Sequence, residues 1–259
     1  MPNNIQNTDY GNWVPKKMLF MQAGATLALI VGANLAPWFP VRVFLGIAAL
    51  LSLFFFIYYF YAFQAFSYEG GCVSGKILDY LLTFVEWDGK GRGLDIGCGS
   101  GALSARLAKK YPEAEIAAID YWDGKWDYGK EQCERNAKIE GVESNITFQK
   151  ASASSLPFEN ESFSLVVSNF CFHEVMDAKD KRDVVKEALR VLKKGGAFVF
   201  HDLFFSRRLY GEPDEMLSEL RKLGLKEVIL SNSSKIPCIP RFLRLPSMLG
   251  RIGLLYGKK

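Results

Sequence analysis

The sequence predicts an α/β protein: a doubly wound sheet with helices on both faces, preceded by an apolar two-helix hairpin. Three observations lead there. The first quarter of the chain holds two long runs without a charged residue. The remainder alternates strand-like with helix-like segments, and the first of those strands runs into a glycine turn, "LDIGCGSG", Leu94–Gly101.

The hairpin comes first in the chain. Met18–Ala36 and Val43–Phe66 are uncharged, and as helices they span roughly 28 and 36 Å against a hydrocarbon core of about 30 Å. "PWFPVR" breaks them, and Tyr58, Tyr59 and Tyr61 crowd the far end of the second run as interfacial aromatics do. The first run is long, lacks a small-x-small cleavage site and is followed by a second span, so two transmembrane helices are expected rather than a signal peptide. Lys16 and Lys17 precede the first span and the connecting loop holds only Arg42, which places the rest of the chain back on the cytoplasmic side. The expected organisation is a tail over 1–17, the spans over 18–66 and a soluble domain over 67–259.

Composition narrows the soluble part. A net charge of +4 on 259 residues, with no basic cluster, gives no reason to expect nucleic acid. Five scattered cysteines without a C-x-x-C pair fit neither a disulfide framework nor a zinc site, and no metal is expected.

Ser74 is the expected cap of a helix with apolar residues at Ile77, Leu78, Leu81, Leu82 and Val85. Strands are predicted at Gly93–Ile96, Glu115–Asp120, Ile146–Lys150, Ser164–Asn169 and Ala197–Asp202. The helices between them are predicted at Ala102–Tyr111, Asp127–Glu140 and Asp177–Leu192, the last stopped by Gly195-Gly196. In such a sheet, ligands bind beyond the carboxyl ends of the strands.

Gly97, Gly99 and Gly101 allow a sharp turn and a close approach to a ligand, with helix N–H groups behind. The glycines alone also satisfy a dinucleotide fingerprint. Asp95 argues against it, since a carboxylate at the strand end repels a pyrophosphate and welcomes a cation. Asp120, 25 residues after Asp95, ends the second strand where a carboxylate accepts ribose hydroxyls. A glycine-floored, anionic pocket suits a ribose-bearing cation.

"LDIGCGSG", "AAID", "SSLPFENESFSLVVSNF" and "LRVLKKGGAFVF" resemble, in order and spacing, the successive motifs of class I S-adenosylmethionine-dependent methyltransferases over roughly residues 74 to 204. The resemblance implies a Rossmann-like, seven-stranded sheet with an antiparallel last strand, its final hairpin at Leu225–Ser231 and Ile252–Gly257. It implies S-adenosylmethionine as cofactor, with Asp95 and the turn through Gly97, Cys98, Gly99 and Gly101 at the methionine end and Asp120 at the ribose. Tyr121 or Trp122 then lies beside the adenine, Ser152-Ala153 at its edge, and Asn169 belongs to the cofactor set. Two residues depart from the family pattern: Ser152 and Ser164 stand where Asp is common.

For the acceptor, "SNFCFHEV" leaves the fourth strand at the rim, making His173 the candidate for orienting or deprotonating it. His201, beside Asp202 at the end of the fifth strand, is the second candidate, with both histidines expected to face one cleft. Asn169-Phe170-Cys171-Phe172 lacks the prolines of an N-P-P-Y-type motif, which disfavours nucleobase methylation. Cys98 and Cys171 are read as packing residues rather than nucleophiles.

The helix at Ser74 is expected to start at the active rim, and "IPCIPRFLRLPSML" mixes apolar residues with Arg241 and Arg244 as suits a headgroup surface, or else forms a lid. The resulting expectation is a membrane-anchored enzyme with a small, apolar or lipid-like acceptor. A tethered, catalytically weakened binding protein and a nicotinamide-dependent reductase remain as alternatives.

Overall fold

The computed structural model describes residues 7–122 and 129–259, which form two compact units: residues 11–74, and residues up to Tyr10 together with Gly75–Lys259. Residues 7–10, placed above in an N-terminal tail, therefore belong to the second unit.

In the first unit, α1 (Lys16–Leu35) and α2 (Phe39–Phe66) are both long and apolar enough to cross a membrane. Large side chains such as Phe20, Leu27, Phe44, Leu50 and Phe54 stay exposed along them. A polar seam joins the pair: Gln22 Nε2 donates to Ser52 Oγ at 2.9 Å, and the Thr26 and Ser52 hydroxyls meet at 2.8 Å. Hydrogen bonds of this kind hold helices together where apolar contact gives no preference. Pro40 is tolerated in the first turn of α2, where no intrahelical N–H is needed. That start leaves only residues 36–38 outside helix, so Arg42, expected in the loop, lies in α2 and donates to the Ala36 carbonyl at 3.0 Å.

The second unit is α/β. After α3 (Val73–Leu82) come β1 (Arg92–Ile96), α4 (Ala102–Lys110), β2 (Glu115–Asp120), α5 (Lys130–Ile139), β3 (Ile146–Lys150) and β4 (Phe163–Asn169). There follow α6 (Lys181–Arg190), β5 (Leu192–Asp202), α7 (Arg207–Tyr210), α8 (Pro213–Arg221), β6 (Glu227–Asn232) and β7 (Gly253–Lys258). The seven strands are ordered β3-β2-β1-β4-β5-β7-β6, and β7 alone runs opposite to the other six. Two apolar clusters cover the sheet, and strand side chains alternate between them: Leu94, Ile96 and Val166 enter one, Leu165 and Val167 the other. Because the central strands are covered on both faces, they read as nearly continuous apolar runs.

Several expected boundaries move. Ser74 does not cap α3; it lies in its first turn and donates to the Phe66 carbonyl at 3.0 Å. The helix expected at Asp177–Leu192 is shorter, because the Asp180 carboxylate caps it by accepting the Arg182 N–H at 2.9 Å. Gly195-Gly196 do not stop that helix: they sit inside β5, where the register against β4 shifts between Phe163 and Leu165. Of the helix expected at Asp127–Glu140, residues 127 and 128 lie outside the described residues. The β6–β7 connection buries Ile236, Ile239, Leu243 and Leu249, and the Arg244 guanidinium donates to the Ile239 carbonyl at 2.8 Å. Arg244 is thus a fold-holding residue, while Arg241, Phe242 and Leu245 remain exposed.

Candidate active site

Parallel pairing carries the ends of β2, β1, β4 and β5 to one rim, with Ile96 opposite both Ile119 and Ser168, and Asn169 opposite His201. The glycine turn leaves β1 at this rim. Its Gly97 and Cys98 N–H groups donate to the Ile119 carbonyl at 2.8 and 3.0 Å, and Gly101 N–H to Cys98 at 2.8 Å. Gly99 N–H donates to Asp120 Oδ2 at 2.9 Å. Four of the five amides from Gly97 to Gly101 are therefore spent inside the protein. A turn that grips a pyrophosphate presents its amides to the ligand; this one spends most of them internally, and the nicotinamide alternative is not favoured.

Gly97 has φ +73°, and a Cβ there would lie 2.3 Å from Cys171 Cβ. The turn needs glycine at this place because the chain leaving β4 presses against it. Cys98 is buried, and burial drives its thiol well above the ordinary range, so it is a packing residue. Gly101, also at positive φ, starts α4.

Asp95 is 1% exposed. Ser104 Oγ donates to its Oδ2 at 2.6 Å, while Oδ1 is buried with no hydrogen-bond partner. Burial raises its carboxyl to about 7; the Ser104 hydroxyl opposes the shift and Asp120 adds to it. An orphaned carboxylate oxygen in a closed place is costly unless a donor, and best a cation, meets it. Asp120 is fixed by a second amide, Trp122 N–H on Oδ1 at 2.9 Å, and keeps lone pairs on both oxygens for further donors.

The aromatic pair after β2 splits. The Trp122 indole donates to the Gly99 carbonyl at 3.0 Å and is committed to the turn, with Trp122 itself at φ 41°. The Tyr121 ring is 58% exposed, with the Lys150 ammonium 5.3 Å from its centroid. After β3, the Ser152 hydroxyl lies 2.8 Å from Ser154 Oγ and 3.1 Å from Asp177 Oδ2, and Ser154 Oγ donates to the same oxygen at 2.5 Å. The Ser154 hydroxyl foremost holds the Asp177 carboxyl below its usual range. Ala153 is buried in the apolar cluster. Ser164 lies at the other end of β4, bonded to the Lys90 and Arg92 carbonyls, and takes no part in the rim.

The two histidines, expected to share a cleft, are parted by Phe170, whose ring stands edge-on to His201 at 4.9 Å and to His173 at 6.1 Å. His201 is fully buried; Nδ1 meets Asn169 Oδ1 at 3.0 Å and Nε2 meets Ser233 Oγ at 2.8 Å. Burial pushes its pKa down to about 4, against the pull of Asp202, so it is neutral with both nitrogens engaged. His201 is a structural residue, and Asn169 is its partner. His173 is different. Its side chain is 18% exposed; Nδ1 lies 2.8 Å from Asp202 Oδ1, and Nε2 lies 3.4 Å from a Glu174 carboxylate oxygen. Burial alone would lower its pKa, but the two carboxylates prevail and raise it to about 10. His173 is an imidazolium at neutral pH.

Asp202 was read only as a neighbour of His201. Alternation along β5 is the signal that separates them, since consecutive strand residues point to opposite faces. Cys171 sits amid the site's acids: burial, and then Asp120, Asp202, Asp95 and Glu174, raise its thiol far above the range of a nucleophile. Among the described residues no cluster of three or more His, Cys, Asp or Glu could hold a metal ion. The arrangement is an anionic bowl with amide-saturated walls, which fits a ribose-bearing cation such as S-adenosylmethionine.

Comparison with known proteins agrees. Residues 94–196 match the methyltransferase domain family. An uncharacterized methyltransferase of Bacillus subtilis is 31% identical over 155 residues, 58% of this chain and 54% of that one. A malonyl-[acyl-carrier protein] O-methyltransferase of Geobacter sulfurreducens is 28% identical over 206 residues, 69% of this chain and 73% of that one. The chain spans about half the length of some curated relatives it matches, 49% and 54% for two of them. Among solved structures, a geranyl diphosphate methyltransferase in complex with S-adenosylmethionine shares the fold at a TM-score of 0.53 and 14% identity, over 71% of this chain and 84% of that one. The matched region, residues 94–196, lies across β1 to β5 and is similar to the catalytic domain of class I S-adenosylmethionine-dependent methyltransferases.

Proposed function

We propose that this chain is a membrane-anchored methyltransferase that moves the methyl group of S-adenosylmethionine to a small apolar or lipid-like acceptor. The observation that carries the reading is the buried, unpartnered Oδ1 of Asp95 beside a glycine turn four of whose five amides are already satisfied. Such a place rewards a positive charge and offers nothing to a phosphate.

In this reading Asp95 and the Gly97–Gly101 turn receive the methionine end, and Asp120 accepts the ribose hydroxyls. Tyr121 offers the free aromatic face near the adenine. Ser152 lacks the carboxylate common at its place, and Asp177, on the same hydroxyl cluster, supplies one. When bound, the cofactor supplies an electrophilic methyl carbon on a sulfonium. The chain's own residues then position the acceptor. Asp202 holds the His173 ring by Nδ1, and Nε2–H, which faces Glu174 at 3.4 Å, is the donor that an acceptor would take over from that carboxylate. As an imidazolium, His173 orients and polarises rather than removing a proton at neutral pH.

The acceptor class follows from tethering. A domain covalently joined to two membrane helices meets membrane-borne acceptors at high effective concentration and soluble ones at bulk concentration. Lys16 and Lys17 in the first turn of α1 favour a cytoplasmic location for the α/β unit.

The test is to reconstitute the full chain in vesicles and supply cofactor labelled on the methyl group. It is then offered a bilayer lipid extract, water-soluble metabolites, or a malonyl group on acyl carrier protein. Label in the lipid fraction supports the reading. Label only in soluble products overturns the acceptor class, and absence of cofactor binding by calorimetry overturns the enzyme.

A further inference from the structure

The chain before the hairpin is tied to the turn that leaves β1. Asn136 of α5 is 0% exposed, and its side-chain amide reads a whole peptide residue: Oδ1 accepts Asp9 N–H at 2.9 Å and Nδ2 donates to the Asp9 carbonyl at 2.8 Å. The same Nδ2 donates to the Ser100 carbonyl at 3.0 Å, inside the glycine turn. Ser100 answers from its side, Oγ donating to the Tyr10 carbonyl at 3.0 Å. Gln132 Nε2 donates to the Asp9 carbonyl at 2.6 Å, and the Tyr10 hydroxyl to Glu140 at 2.9 Å. One residue back, Gly99 carries Asp120 on its N–H and the Trp122 indole and Cys133 thiol on its carbonyl. From Tyr10 the backbone passes through Gly11 into the segment that becomes α1.

We infer that Asn136 is a positioning residue for the cofactor turn, and that Asp9–Tyr10 is a strap through which the hairpin side of the chain governs cofactor affinity. The inference rests on the cofactor reading proposed above. Removing this buried amide takes the side-chain partner from the Asp9 N–H and the Ser100 carbonyl together and leaves the Asp9 carbonyl to Gln132, so loosening the strap and loosening the turn are one event. Coupling is reciprocal: whatever tightens the turn must tighten the strap by the same factor.

The experiment uses the full chain in vesicles and S-adenosylhomocysteine as the probe. Asn136→Ala is expected to raise its Kd about tenfold, and Gln132→Ala and Tyr10→Phe several-fold. At saturating cofactor, kcat stays within about twofold of wild type, so the loss falls on KM for the cofactor. Saturating the wild type is expected to slow hydrogen exchange at the Asp9 amide. If Asn136→Ala fails to fold, the two milder variants and the exchange measurement carry the test. Folded variants with unchanged Kd, or an Asp9 amide indifferent to the probe, overturn the inference. A wild type that ignores the probe overturns the cofactor reading first, and the strap with it.

Discussion

The two halves of the rim are built by different means. On the β1–β2 side the backbone does most of the work: amides of Gly97, Cys98 and Gly99 are spent on Ile119 and Asp120, and the carboxylates stand ready against that fixed floor. On the β4–β5 side the geometry comes from side chains, with Asp202 aiming His173, Phe170 parting two histidines, and Asn169 with Ser233 holding His201. A site divided this way should lose cofactor binding from one half and turnover from the other, and substitutions can break that division.

The largest effect is expected at the seam. Gly97→Ala puts a Cβ 2.3 Å from Cys171 Cβ at a positive φ, and should cost on the order of 3 kcal/mol or more, visible as a lowered Tm. Next, Asp202→Asn should lower kcat by roughly 100-fold while leaving the Kd of S-adenosylhomocysteine nearly unchanged. It should also release His173 from its raised pKa. The sign is checkable: an imidazolium held to about 10 contributes stability that is fully present below about 6.5 and is lost as pH rises through 10. Melting curves of wild type and His173→Gln should therefore diverge below pH 6.5 and converge towards pH 10.

Asp95→Asn should weaken cofactor binding by roughly 30-fold, the range for a charge-assisted contact, with kcat little changed. In the wild type a carboxyl at about 7 must lose its proton to meet a cation, so affinity should climb with pH and level off above 7. Calorimetry in buffers of different ionisation enthalpy should count the released proton, and the variant should release none. The smallest effect sharpens rather than breaks the comparison. Asp177→Ala should raise KM for the cofactor by roughly fivefold, a neutral-strength hydrogen bond's worth. If it lowers kcat instead, the loop after β4 belongs to the acceptor half.

The same division explains what could be read from sequence. The sheet, the turn and both carboxylates were legible because they rest on alternation and on residue types at fixed backbone places, such as Asp95 two residues before Gly97. The acceptor half was not. Whether a histidine is a neutral buried strut or a half-buried cation depends on its partners across the fold: Ser233 for His201, Asp202 for His173. Along the chain both histidines stand as candidates, His173 first and His201 second, with nothing local to reveal their partners. Helix limits failed for a similar reason, since Asp180 as a cap and the β5 irregularity at Gly195-Gly196 each depend on contacts with another segment. Asn136 offered no local signal at all: its three hydrogen bonds go to two residues, 36 and 127 positions away.

That last separation has a consequence for how the molecule is made. Asp9 leaves the ribosome long before Asn136 exists to receive it, a delay on the order of ten seconds at about 5–20 residues per second. During that interval residues 16–66, which hold both apolar helices, are completed. The Asp9–Asn136 joint therefore closes only after the whole apolar hairpin has been synthesised.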